Sequence, residues 1–143
     1  MRVEAPIKVD RKTKRLAKRL TGGEIAVINH MDIDEVAANS LVEGKIKLVI
    51  NAAESISGKY PNKGPGRLTD KNILIIDNVG QELFDELKEG QIIEVNNGQI
   101  YRDGQLLGEG SVLDKEKVSI KIKEKSIKVG KNTWLSTEIV YFM

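Results

Sequence analysis

The sequence predicts an α/β domain with a small parallel sheet core, a β-hairpin layer closing one side and a C-terminal segment leaning to helix. Three observations carry that reading. EIAVINH (24–30), KLVINAA (47–53) and NILIIDNV (72–79) are short, continuous apolar runs, the pattern of parallel strands buried on both faces. A helical pattern separates the first two of them, which is the grammar of a strand–helix–strand unit. From Gly90 onward the pattern turns all-β, with Asn97-Gly98 and Asp103-Gly104 each flanked by alternating residues, a signature of tight hairpins.

Taken in order, residues 1–20 hold eight Lys/Arg against two Asp/Glu and read as a basic arm. Within it Leu16 and Leu20 stand four apart among Lys12, Lys14, Arg15, Lys18 and Arg19, as on a short basic amphipathic helix or a disordered arm. Such an arm suits nucleic acid, acidic lipid or an acidic partner; alternatively it is a solvated leader that packs two leucines onto the domain. The turn Gly22-Gly23 starts the first strand. Asp32 or a neighbour caps a helix in which Ile33, Val36, Ala37, Leu41 and Val42 recur at helical spacing up to Gly44. After the second strand, residues 52–70 read as a long Gly/Pro/Ser-rich loop, and after the third, LFDEL (83–87) reads as a short amphipathic helix. In the last thirty residues Val118, Ile120 and Ile122 alternate as in a strand, whereas Leu113, Ile120, Ile127, Trp134 and Tyr141 repeat every seven as on a helix. The domain organisation expected is therefore an arm over 1–20, an α/β domain over 21–112 and a linker segment over 113–143. The chain closes on EIVYFM without a capping or polar tail, as a piece cut from a longer protein would.

The chain has 143 residues, 40% hydrophobic and 31% charged, which is the size of one compact domain. No cysteine is present, which excludes disulfides, thiolate catalysis and cysteine-ligated metals, and a single histidine excludes a histidine-rich metal site. No apolar run reaches the length a membrane helix needs. The first residues, MRVEAPIKVD, lack a secretory apolar core, so the expected compartment is the cytoplasm. Outside the arm the chain is net acidic and aromatics are 4%, too few for a base-stacking platform, so nucleic acid is not expected as a partner.

Open α/β sheets bind ligands beyond the carboxyl ends of their strands. The stretch AAESISGKYPNKGPGRLTD (52–70) falls there, and Ser55, Ser57, Lys59, Lys63 and Arg67 offer donors to an anion while Gly58, Gly64 and Gly66 allow close backbone approach. It matches neither a Walker A nor a dinucleotide fingerprint, and an ordered surface loop would have the same composition. His30 ends the first strand beside Asp32 and Asp34, a candidate acid/base or cation site or, alternatively, a structural histidine next to a helix cap. Asn29, Asn51, Asp77 and Asn78 converge on the same edge. No nucleophile with its base is evident, since Ser57 lies in no G-x-S-x-G motif. Trp134, Tyr141 and Phe142 are either core or an interaction surface.

The residues GEIAVINHMDIDEVAANSLVEGKIKLVINAAESISGKYPNKGP (23–65), with NILIIDNVG (72–80), resemble the N-terminal region of bacterial SteA-type cell-division proteins. The resemblance covers about residues 10–110. It implies a domain that in longer relatives continues through a helix into a region similar to thiamin pyrophosphokinase, absent from this chain. The order of elements, including ELKEGQIIEVNNGQIY (86–101), is also similar to the swivelling β/β/α-type phosphohistidine domain of phosphoenolpyruvate-utilising enzymes. There the phosphate-carrying histidine follows a central strand; here SISGKYPN occupies that place, so carriage by the same chemistry is not implied. The expected function is a non-catalytic ligand-binding and assembly domain of a SteA-like cytoplasmic protein, with a division-site protein, the second domain or another copy of the chain as partners. The alternative is a phosphate- or nucleotide-binding part of a pyrophosphokinase-related enzyme. Under either reading the ligand contacts expected are Ser55, Ser57, Gly58, Lys59, Tyr60, Asn62 and Arg67, the catalytic candidates are His30 and Asp32, and neither a metal nor a cofactor beyond a phosphate-containing ligand is expected.

Overall fold

The computed structural model of the chain describes residues 1–59 and 62–132. The elements in order are β1 (Arg2–Asp10), α1 (Thr13–Ala17), β2 (Ile25–Ile28), α2 (Glu35–Glu43), β3 (Leu48–Asn51), α3 (Gly64–Asp70), β4 (Leu74–Asp77), α4 (Gln81–Glu86), β5 (Ile92–Asn96), β6 (Gln99–Arg102), β7 (Gln105–Glu109), β8 (Ser111–Leu113) and α5 (Lys115–Asn132). They form a mixed α/β fold on one eight-stranded sheet of order β7-β6-β5-β1-β2-β3-β4-β8.

β1 is the hinge of this sheet. Its second half, Ile7–Asp10, runs parallel to β2, while its first half, Arg2–Pro6, runs antiparallel to β5. Pro6, which has no N–H to give to a ladder, sits where β1 passes from one partner to the other. The expectation that residues 1–20 form an arm outside the domain is thus corrected. Val3, Ala5, Ile7 and Val9 alternate with Arg2, Glu4 and Lys8, the period-2 pattern of a strand with one buried face, and Ala5 and Ile7 lie in the core. The basic excess belongs mostly to the turn and short helix that follow, where Leu16 is fully buried and Leu20 packs against the core, as the two-leucine reading expects.

The two end strands, β7 and β8, are separated only by Gly110, so the sheet curls until its edges meet. At that seam Gly110 N–H donates to Gly98 O at 2.9 Å, and a Cβ on Gly110 would collide with Asp77 O and the Val79 side chain. The curl gives β2, β3 and β4 two buried faces. Ile25, Val27, Leu48, Ile50 and Ile76 point into one core with Ile93, Val95 and Ile100 of the hairpin strands and Leu83 and Phe84 of α4. Ala26, Ile28, Val49 and Ile75 point into the other, beneath Leu16, Ala37, Leu41, Leu68 and Val118 of the helices. The hairpin layer and the parallel core are therefore parts of one sheet. Both hairpin turns have the expected type I′ signature, with positive φ at Asn97, Gly98, Asp103 and Gly104.

Three local expectations change. Residues 64–70 form α3 rather than loop, with Pro65 in the first helical turn, where its missing N–H costs nothing. Asp34 is the residue that caps α2, its Oδ1 accepting from Ala37 N at 2.7 Å, and Val36 faces solvent while Ala38 is buried. Helix is the state of 115–132, started by Asp114, whose carboxylate accepts from Lys117 N at 2.8 Å. Among its described side chains the inward positions are Val118 and Ile122 rather than Ile120, so its first turns belong to the domain and not to a separate linker. Trp134, Tyr141 and Phe142 lie outside the described residues.

Candidate functional site

The polar residues at the carboxyl ends of β2, β3 and β4 bond chiefly to one another. Asn51, fully buried, donates from Nδ2 to His30 O at 2.9 Å and to Ser55 Oγ at 2.8 Å, while its Oδ1 accepts from His30 N and Ala53 N at 3.0 and 3.1 Å. Ser55, also fully buried, passes the chain on: its hydroxyl and its backbone N–H both donate to Asp77 Oδ1, at 2.6 and 2.9 Å. Burial pushes the Asp77 carboxyl up from its ordinary value, and the two Ser55 donors pull against that shift. Asp32, in the left-handed region at φ 53°, turns its carboxylate onto Ser57, accepting from the backbone N–H and the hydroxyl at 2.7 Å each. No buried side-chain polar atom is left without a partner among the described residues.

This places most of the sequence-derived candidates in structural roles. Ser55 and Asp32 are engaged as described, and Ser57 also accepts from Lys59 N at 3.1 Å. Asn62 donates from its side chain to Ser55 O, closing the SISGKYPN segment on itself. Gly58 has φ +89°, and carbons of the Lys125 side chain lie about where its Cβ would reach, so α5 rather than a ligand covers that glycine. Gly64 is pressed against Ile33 O, which makes its close approach a contact between α3 and the start of α2. Arg67 is exposed on α3 and donates to Asn39 Oδ1 at 2.9 Å, while the Lys59 side chain is exposed and Tyr60 lies outside the described residues. The structure therefore joins His30, Asn51, Ser55 and Asp77 in one network and leaves Lys59 and Arg67 apart from it.

His30 faces a different space. Its Nδ1 is hydrogen-bonded to the buried Thr13 hydroxyl at 2.8 Å, and its Nε2 lies 3.6 Å from Asp34 Oδ2. Beside it opens a cleft of about 600 Å³ between the start of α1 and α2, lined by Arg11, Lys12, Lys14, Asn29, Met31 and Val36 among others. It sits beyond the carboxyl ends of β1 and β2, the general position of ligand sites in open α/β sheets. The basic residues around it fall into two groups. Arg15 binds Asp10 through Nε and Nη2 at 2.7 and 2.8 Å, and Arg19 spans Asp10 and Glu89 at 2.9 and 2.8 Å. The Arg15 guanidinium, with Arg19 and the Lys12 N–H, holds the buried Asp10 carboxyl well below the usual carboxylate range. Arg11, Lys12 and Lys14 have no ion pair among the described residues. Sequence reasoning did not bring these three to the strand ends because the arm reading detached them from the sheet; strand-like alternation ending at Asp10, directly before Arg11-Lys12, is the signal that would have placed them.

No family model matches the chain, and no curated protein matches it. A crystal structure of 3-isopropylmalate dehydratase (leuD) from Methanocaldococcus jannaschii superposes with a TM-score of 0.55 at 13% identity, covering 96% of this chain and 99% of that one. At that identity the likeness concerns the fold, and it supports the mixed α/β arrangement described above.

Proposed function

We propose that the chain is a non-catalytic ligand-binding and assembly domain of a SteA-like protein acting in the cytoplasm at the bacterial division site. The observation that carries the non-catalytic part is the closure of the strand-end network: Asp32 is engaged by Ser57 and Asp77 by Ser55, so among the described residues both strand-end carboxylates are taken up by the serines beside them. A general base has to reach the proton it removes, and the partners of the His30 ring among the described residues are the Thr13 hydroxyl and Asp34 Oδ2. The division-site part rests on the GEIAVINHMDID and SISGKYPN segments and their resemblance to SteA-type proteins. Under this reading a second domain similar to thiamin pyrophosphokinase, a division-site protein or another copy of the chain is the partner.

Two measurements test it. The protein incubated with ATP and thiamin is expected to form no thiamin diphosphate, and a fluorescent fusion expressed in a rod-shaped bacterium bearing SteA-type proteins is expected to concentrate at septa. Turnover lost on His30→Ala would establish the alternative, a phosphate- or nucleotide-binding part of a pyrophosphokinase-related enzyme. Uniform fluorescence would refute the division-site role.

A further inference from the structure

We infer that the cleft between α1 and α2 binds an organic phosphate, its phosphoryl group held by Arg11, Lys12 and Lys14 and its apolar body resting on Met31 and Val36. The inference deepens the ligand-binding part of the proposed function and moves the site away from the SISGKYPN segment.

Charge is the first argument. Within residues 10–19 the fold neutralises Arg15 and Arg19 with Asp10 and Glu89 but, among the described residues, brings no carboxylate into an ion pair with Arg11, Lys12 or Lys14. Asp34 is the acidic residue lining the cleft, and one of its oxygens is committed to capping α2. Three cations around a concave surface raise the local concentration of an anion, since their fields add where solvent is partly displaced. Lysine ammonium and arginine guanidinium groups are the usual donors to phosphoryl oxygens, and charge-assisted hydrogen bonds are the strong ones.

Shape and apolarity give the second argument. A volume of about 600 Å³ falls within the range of small-molecule sites and is far more than inorganic phosphate fills. Met31 is 55% exposed and Val36 76% exposed, two of the few large apolar side chains left in solvent, and both line this cleft. Exposed apolar side chains gathered around one concavity mark a place where something apolar is covered. His30 and Asn29, also on the wall, add ring and amide polar groups between the cationic and apolar ends.

The test is calorimetric titration of the protein with ADP, thiamin diphosphate and inorganic phosphate at low salt. Saturable binding of at least one of the two organic phosphates, tighter than inorganic phosphate, is expected. Lys12→Ala/Lys14→Ala should weaken it by about tenfold or more, as the loss of charge-assisted hydrogen bonds does. Met31→Ser/Val36→Ser should weaken the organic ligand and leave inorganic phosphate unchanged, and Lys71→Ala, on the far end of α3, should change neither. All these positions are exposed, and unchanged unfolding midpoints verify that the variants fold. The inference falls if neither organic phosphate binds, if binding is lost on Lys59→Ala but kept in Lys12→Ala/Lys14→Ala, or if a single-stranded oligonucleotide binds many-fold tighter than ADP. Failure here with septal fluorescence retained would leave the assembly role standing; binding without septal fluorescence would do the reverse.

Discussion

The side-chain amide of Asn51 clasps the backbone of His30 from both sides, Nδ2 donating to its carbonyl at 2.9 Å and Oδ1 accepting from its N–H at 3.0 Å. The pair extends the β2–β3 ladder one step past Ile28↔Asn51, using a side chain where backbone pairing has ended. It fixes where the chain leaves β2, and with it the imidazole, Asp32 and the wall of the cleft.

Asn51→Asp tests that clasp, because it keeps the shape and removes both Nδ2 donors, leaving a buried carboxylate oxygen against His30 O and Ser55 Oγ. Breaking a buried network in this way is expected to cost about 2–4 kcal/mol. Urea denaturation reads the cost, and hydrogen exchange should show faster opening at the amides of His30 and Ser55 than in the hairpin strands.

Asp77 carries the opposite lesson about charge. Its carboxyl is raised by burial, so the folded state favours the neutral form more than the unfolded chain does. Stability from this group is full below the unfolded value of about 4 and is lost as pH rises through the higher folded value. Asp77→Asn presents the same Oδ1 to Ser55 without the charge. The variant should therefore gain on the wild type as pH climbs from about 3 to 8, measured as the difference in urea midpoints; a difference independent of pH would show that Asp77 ionises equally in both states.

Asp10 behaves the other way. Arg15 and Arg19 hold its carboxyl low, and Arg19 does the same for Glu89, so both contribute stability that is present above their unfolded values and lost as pH falls through the folded ones. Asp10→Asn should destabilise the protein by about 1–3 kcal/mol near neutral pH, the scale of hydrogen bonds to charged groups, and that penalty should shrink toward about pH 2. A constant penalty across the range would make the site a neutral hydrogen-bond hub instead. The outcome also bears on the cleft, since Arg15, next in the chain to Lys14, would lose its Asp10 partner while Arg19 keeps Glu89.

How much of this was legible in the sequence follows from which forces act locally. β2, β3 and β4 announce themselves because both faces are buried and every position is apolar, and the two hairpins because type I′ turns demand Asn-Gly or Asp-Gly. β1 was hidden by charge: Arg2, Glu4 and Lys8 are the solvent half of its alternation, and their sum with the following helix read as an arm. The polar edge was legible as a convergence of Asn29, His30, Asn51 and Asp77, but not its internal bookkeeping. Whether Ser55 faces a ligand or Asp77 depends on a contact 22 residues away, which no local spacing encodes. The cleft was illegible for the same reason, since Lys12 and Val36 come to line one space only after β1 and β2 pair.

The glycines of α3 separate contact from conformation. Gly64 and Gly66 are two residues apart in one helix, and neither has positive φ. A Cβ on Gly64 would press into the backbone carbonyls of Ile33 and Asp34, whereas one on Gly66 would meet nothing within 4 Å. Backbone on a capped helix start cannot swing aside as a side chain can, so Gly64→Ala must drive α3 away from α2, opening the packing of Leu68 on Leu41 and Ala37. Overpacking of this kind costs about 1–3 kcal/mol or more. Gly66→Ala gains the lower unfolded-state entropy of alanine and should stabilise by about 0.4–1 kcal/mol. Thermal unfolding of the two variants should move in opposite directions. Equal shifts would mean that α3 and the start of α2 are not in contact, and the wall that Asp34, Val36 and Ala37 give the cleft would lose its support.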